Sequence, residues 1–148
     1  MWTYKHQPVN SIEDLPGHEG LLGYVYKITN LKTGQIYIGH KNLYSTRKKH
    51  MGKREKSLIT DKRKKTYTRV TKESDWKTYW SSCTELKDDV KKHGEDFFRR
   101  EIVELCCTKK QLTFYELKYM FEHEVLTKPS YNGNILGRFF RKDLVPCK

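Results

Sequence analysis

Apolar and polar positions alternate most cleanly between residues 23 and 39. Tyr24, Tyr26 and Ile28 interleave with Val25 and Lys27, and Ile36-Tyr37-Ile38 returns as a second β-branched and aromatic run. Between them Asn30-Leu31-Lys32-Thr33-Gly34-Gln35 supplies turn chemistry, so the pattern predicts a β-hairpin. Phe97 to Leu105 alternates again: Phe97, Val103 and Leu105 fall on one face, Phe98 and Ile102 on the other, which predicts a third strand. Two segments take the helical period instead. Ser82-Cys83-Thr84-Glu85 has capping-box spacing and opens a helix with Leu86 and Val90 on one side, closed by Gly94. Thr108-Lys109-Lys110-Gln111 opens another, running to about Thr127, with Leu112, Tyr115, Leu117, Tyr119 and Phe121 as a broad apolar stripe, and Pro129 prevents its extension. Trp76, Tyr79 and Trp80 form a short helix or a packed aromatic cluster.

The remaining segments lack such periods. Residues 1–20 are punctuated by Pro8, Pro16-Gly17 and Gly20 and are expected to be an irregular leader. Residues 41–72 are polar and too poor in large apolar side chains for a core helix, although Ser45 to Arg54 can form a basic one. The order strand, strand, basic insertion, helix, strand, helix predicts an α+β fold. It would be a small antiparallel sheet of about three strands flanked by helices, spanning residues 21–137 and followed by a basic tail at 138–148.

Charge changes the picture more than length does. The chain has 148 residues, a formal net charge of +12 and a pI near 9.5. Thirteen Lys/Arg fall in residues 41–72 against only Glu55 and Asp61. A basic segment inside an otherwise balanced domain suits a polyanion, because lysine and arginine displace counterions from phosphates. Lys41, Lys48, Lys49, Lys53, Arg54, Arg63, Lys64, Lys65 and Arg69 are the candidate DNA contacts, with double-stranded DNA as the expected partner. A solvated linker, or an RNA-binding module, would share the charge. No apolar run approaches the ~20 residues of a membrane span, and the first residues lack a signal-peptide profile, so a cytoplasmic protein is expected. Cys83, Cys106, Cys107 and Cys147 contain no Cys-x-x-Cys, and a zinc site from Cys106, Cys107 and His93 matches no common spacing. Free thiols are expected.

The hairpin's text is more specific than its period. Val25-Tyr26-Lys27-Ile28-Thr29-Asn30, Thr33-Gly34 and Tyr37-Ile38-Gly39 resemble the signature of the GIY-YIG nuclease superfamily. The second half matches to the letter. In the first half Tyr24-Val25-Tyr26 stands where Gly-Ile-Tyr is usual. The eleven-residue step to Tyr37 favours Tyr26 as the family's first tyrosine, with Tyr24 as the fallback. The segment 75–82, the turn at 92–97 and the strand around Ile102-Val103 also look like phage Seg-like members, so that the likeness covers about residues 23–135.

That resemblance implies a metal-dependent DNA endonuclease, phage-borne and homing-like and so acting in the cytoplasm of the host cell. It also implies a set of site residues. Glu116 takes the place of the metal-binding glutamate, with Glu122 and Glu124 as competing carboxylates on the same helix, and Asn132 follows at the family's distance after Tyr131. Arg47 lies about eight residues past Gly39, where the family carries an arginine, and His50 three residues further, where a spacing of four is common. Lys41 and Arg69 are alternative cations. One carboxylate suits Mg²⁺ (or Mn²⁺), which draws its other ligands from water and phosphate. In the chemistry so implied, nearby cations lower the Tyr26 pKa so that the phenol can act on water, Tyr37 and His50 orient water or pass protons, Arg47 stabilises the phosphorane and Asn132 braces the site. A non-catalytic DNA-binding protein on the same fold is the competing reading.

Overall fold

The computed structural model describes residues 1–146; Cys147, with the free-thiol expectation attached to it, and Lys148 lie outside the described residues. In chain order the elements are β1 (Trp2–Tyr4), β2 (Gln7–Val9), β3 (Gly23–Asn30), β4 (Ile36–Asn42), β5 (Tyr44–His50), α1 (Lys53–Ser57), β6 (Tyr67–Glu73), α2 (Thr84–His93), β7 (Phe98–Cys106), α3 (Lys109–Glu122), β8 (Asn134–Ile135) and β9 (Phe139–Phe140). They fall into two compact units, residues 44–74 and the rest.

The larger unit is built on a five-stranded sheet in the order β2-β1-β7-β3-β4. Its centre is the expected one. β3 pairs antiparallel with β4 and β7, and the turn between β3 and β4 closes as its residue types require. The Asn30 side-chain oxygen accepts from the Lys32 and Thr33 amides, and Gly34 takes the left-handed backbone at φ 77°.

The sheet is nevertheless larger than three strands, because the leader is not irregular. β1 runs parallel to β7 and antiparallel to β2, which makes the sheet mixed. Strands of three residues are too short to show an alternation, so the period-two test is blind to them. What fixes the leader is Trp2, 1% exposed, whose indole N–H donates to the Trp76 carbonyl at 2.7 Å and whose ring packs edge-on against Tyr24 and Tyr26, each at 5.3 Å.

The two faces of the sheet do different jobs. Cross-strand register puts Tyr26 with Gly39 and Ile102, Ile28 with Tyr37 and Arg100, and Trp2 with Arg100, so these side chains share one face. Val25, Ile38 and Cys106 point the other way, into a core closed by Leu112 and Met120 of α3 and by Val125, Leu126 and Ile135. Between Val25 and Tyr26 the β3–β7 register slips, leaving Val103 as an extra residue on β7.

α2 begins one residue later than the capping-box reading implies: Cys83 is the N-cap residue, and the Ser82 hydroxyl points elsewhere. α3 is capped as expected, Thr108 accepting from the Gln111 amide, but it stops at Glu122, five residues short, where Glu124 adopts φ 50° and breaks the helix. The described part of the basic tail holds β9, which pairs with β8 just before it, and a short 3-10 turn at Arg141–Leu144.

In the smaller unit, β5 and β6 form an antiparallel ribbon, with α1 within the connection between them. The basic helix expected over Ser45 to Arg54 is therefore a strand at Tyr44–His50. Thr68, Val70 and Thr71 on the return strand are strong β formers, and they draw β5 into pairing. Among the described residues no helix is long and apolar enough to cross a membrane.

Candidate active site

The site is assembled at the edge strand β4, and Gly39 explains its shape. Tyr26 lies directly across from Gly39, where a Cβ would stand 2.6 Å from the Tyr26 hydroxyl oxygen and 2.9 Å from Cε1 of Tyr37. Only a residue without a side chain lets the two phenols come together here, their ring centroids 6.1 Å apart. Tyr26 is the deeper of the pair, 1% exposed, whereas Tyr37 is half-buried, its hydroxyl 3.4 Å from the Ser82 hydroxyl. Tyr79 stands edge-on to Tyr26 at 6.1 Å and hydrogen-bonds to it. Tyr24, the fallback, is sealed under Trp2 and Trp76, and among the described residues its hydroxyl has no hydrogen-bond partner.

Electrostatics correct one expectation. Burial, followed by the neighbouring Tyr37 and Tyr79, pushes the Tyr26 phenol well above its ordinary pKa rather than below it. Burial likewise raises Tyr37; the bond to Ser82 opposes the rise, and the charge of Glu116 adds to it. Desolvation of the anion is the largest cause at both, and phenols shifted above their ordinary value are neutral hydrogen-bond donors at neutral pH.

Glu116 projects from the middle of α3, which packs on the face opposite Tyr26, and its carboxylate comes to the sheet's edge. There Oε2 meets Nδ1 of His40, the residue next to Gly39. The carboxylate is therefore neither free in solvent nor remote from the phenols, since its charge is felt at Tyr37. The same bond raises the His40 pKa against the lowering effect of partial burial. The competing carboxylates are excluded from this cluster by position: Glu122 is exposed at the end of α3, and Glu124 pairs with Lys128 at 2.6 Å.

Asn132 is 4% exposed and bonds β4 through its side chain, Oδ1 accepting from the Ile38 amide and Nδ2 donating to the Ile38 carbonyl, both at 2.9 Å. An amide group can satisfy both halves of one residue on an edge strand, which a carboxylate or an aliphatic side chain cannot. Tyr131 reinforces the join: its amide donates to the Ile36 carbonyl and its hydroxyl links Asn30 to Asp89.

Of the cations, Lys41 lies in this unit. Its ammonium bonds Asp75 at 2.6 Å and sits 4.0 Å above the centre of the Tyr79 ring, and that bond holds the Asp75 carboxyl below its usual range. Arg47 and His50 lie in the other unit, with Lys48, Lys49, Lys53, Arg54, Arg63, Lys64, Lys65 and Arg69. They do not share a helical turn. On strand β5 residues three apart point to opposite faces, and both are exposed.

Three contributors escape sequence reading. His40 directly follows Gly39, and only the fold reveals its bond to Glu116. Arg100 is 5% exposed between the rings of Trp2 and Trp80, and donates to the carbonyls of Lys77 and Tyr79. Arg141 of the tail donates to the carbonyls of Leu126, Lys128, Ser130 and Asn132 and to the Ser130 hydroxyl, fixing the segment that presents Asn132. Nothing in the periodicity of a basic tail marks this clamp.

Among the described residues no three His, Cys, Asp or Glu side chains converge as a metal cage, and Cys83, Cys106 and Cys107 are free thiols. The donor set fits a hard cation of another kind. A single half-buried carboxylate leaves most of the coordination sphere to water and phosphate, which is how Mg²⁺ is usually held.

A family model described as "Putative endonuclease segE, GIY-YIG domain" matches residues 2–136. The match takes in β1 and β2 and thus begins well before the hairpin that carries the motif. No curated protein and no solved structure matches the chain.

Proposed function

Because the chain belongs to the SegE-type GIY-YIG endonuclease domain family, we propose that it is a metal-dependent endonuclease that hydrolyses phosphodiester bonds of double-stranded DNA. The observation that carries this reading is the bond between Glu116 and His40 at the edge of β4, close enough for the Glu116 charge to act on Tyr37, whose ring packs against Tyr26. The likeness to phage Seg-like proteins supports a phage-borne, homing-like enzyme, and the free thiols suit a reducing cytoplasm.

Hydrolysis of a phosphodiester joins the oxygen of a water to phosphorus as the bond to the leaving oxygen breaks; it requires charge stabilisation on the phosphorane oxygens, release of the water's proton to solvent and a proton for the leaving oxygen. Magnesium held by Glu116 would supply Lewis-acid stabilisation of the phosphoryl oxygens. Tyr37, a phenol whose pKa burial raises, would donate its O–H to a phosphate oxygen, with the Tyr26 ring packed against it. His40, whose pKa the bond to Glu116 raises, would serve as the proton donor to the leaving oxygen. Lys41, two residues past Gly39 and steadied by Asp75, takes the electrostatic role that Arg47 was expected to hold. Asn132 keeps β4 in register so that these groups stay aligned.

The test is incubation of the purified chain with supercoiled and linear DNA, in Mg²⁺ or in EDTA, followed by mapping of the ends. Magnesium-dependent cutting with ends characteristic of hydrolysis is expected. Intact DNA under all conditions, with binding retained, would leave a DNA-binding protein in place of an enzyme.

A further inference from the structure

The β5–β6 ribbon has no hydrophobic reason to exist. Its two strands read Tyr-Ser-Thr-Arg-Lys-Lys-His and Tyr-Thr-Arg-Val-Thr-Lys-Glu; Val70, the one aliphatic residue in either, is exposed, and only Tyr44 and Tyr67 are partly covered. A two-stranded ribbon that buries so little is marginal on its own. Register makes it less favourable still, since Lys48 lies directly opposite Arg69, and like charges across a ladder repel. Such an arrangement is relieved by a polyanion.

The distribution of charge narrows the polyanion's form. One face of the ribbon carries Lys48, His50 and Arg69, with the Lys48 ammonium 4.4 Å over the Tyr67 ring; the opposite face carries Arg47, Lys49 and Lys72. An element lying flat on a phosphate backbone needs cations on one face only. An element inserted between two phosphate walls needs them on both. Seven paired residues span roughly 20 Å, and the B-DNA major groove, about 12 Å wide, admits a two-stranded ribbon. The same faces offer Arg, Lys and Thr, the types that read guanine N7 and O6 or donate to either base edge.

From this we propose that the β5–β6 ribbon enters the major groove of double-stranded DNA and is the chain's target-reading element. The proposal rests on the reading of the chain as an enzyme acting on DNA, and it goes beyond that reading by assigning the groove and the residues.

The full chain is tested in EDTA, where no cutting occurs, by fluorescence anisotropy on a labelled duplex at several salt concentrations. Lys48→Ala with Arg69→Ala removes two cations from one face, and Lys49→Ala with Lys72→Ala removes two from the other. Each pair is expected to weaken binding on the order of 10–100-fold near 0.1 M salt and to flatten the slope of log affinity against log salt by about 2. The charge-keeping exchange Lys48→Arg with Arg69→Lys controls for folding: the slope is expected to persist while base preference changes. Methyl green, a major-groove ligand, and replacement of guanine by 7-deazaguanine are expected to weaken wild-type binding, whereas netropsin in the minor groove leaves it unchanged. If one face proves silent, or if wild-type binding ignores methyl green and 7-deazaguanine, the ribbon is a phosphate contact only and the proposal is overturned. Cutting by wild type alongside silent ribbon variants defeats this proposal alone. Groove binding without cutting defeats the enzyme reading and leaves the ribbon assignment standing.

Discussion

The antiparallel pairs β3–β4 and β5–β6 have similar length, and they are held together by different physics. In β3–β4, Tyr24, Val25, Tyr26, Ile28 and Ile38 are all at most 1% exposed, and the pairing is fixed by what packs on both faces. In β5–β6 almost every side chain is in water, and the strands carry cations on each side. A register error in the first pair would throw its apolar set onto the wrong face, so its sequence tolerates few alternatives. The second pair has little packing to lose, and its residue types answer to a ligand. Strand pairing alone therefore says nothing of purpose; burial and charge separate a scaffold from a grip.

The largest effect expected from a change of shape is at Gly39. Gly39→Ala places a methyl group against the Tyr26 ring, which is walled in and cannot move aside, so a loss of about 1–3 kcal/mol is expected in denaturant unfolding. Displacement of the two phenols by some tenths of an ångström should also lower cleavage by around 100-fold. An unaltered enzyme would show that the ring pair is incidental.

One substitution made twice sharpens the contrast between the strand pairs. Val25→Thr buries a hydroxyl in the core beside Ile38 and Leu112 and is expected to cost about 1–3 kcal/mol. Val70→Thr in the ribbon should fall within about 0.5 kcal/mol of wild type. Equal costs in thermal unfolding would mean that the ribbon has a packed face after all.

Arg141→Met removes the clamp on the segment before Asn132. Local opening should rise there, seen as faster amide hydrogen exchange over residues 126–132, with a global loss near 1 kcal/mol. Unchanged exchange would show that Tyr131 and Asn132 hold the segment by themselves.

The smallest effect is the pH dependence of the His40–Glu116 pair. The folded-state pKa of His40 is raised above its ordinary value of 6.5, so the pair's contribution is fully present below that value and is lost as pH rises through the folded pKa. With the histidine side chain 46% exposed, solvent screening keeps the contribution below about 1 kcal/mol. The melting-temperature difference between wild type and His40→Gln should shrink from pH 5.5 to pH 8.5; a gap that widens would reverse the sign assigned here.

Much of this was legible in the sequence, and what was not has physical reasons. The β3–β4 hairpin, β7, α2 and the start of α3 follow from period and capping, because each is long enough to repeat its pattern. β1 and β2 are three residues each and are held by one tryptophan, which no local window can register. The ribbon was hidden because its two strands bury no face and so show no alternation of apolar with polar. At the candidate site, the resemblance pointed to Tyr26, Tyr37, Glu116 and Asn132, but the bonds of His40, Lys41 and Arg141 join residues distant in the chain or unmarked by any motif. The direction of the tyrosine pKa shifts depends on burial depth, which only the packed structure supplies.

The central claim is that Glu116, brought to the edge of β4 beside His40 and Tyr37, is where the phosphodiester is cut. Glu116→Gln keeps the side chain's size and removes its charge, and the direct measurement follows binding and cleavage of one duplex by this variant in Mg²⁺. The account predicts affinity within a few-fold of wild type and cleavage reduced by at least about 1000-fold. A variant that still cuts at a rate near wild type would contradict it.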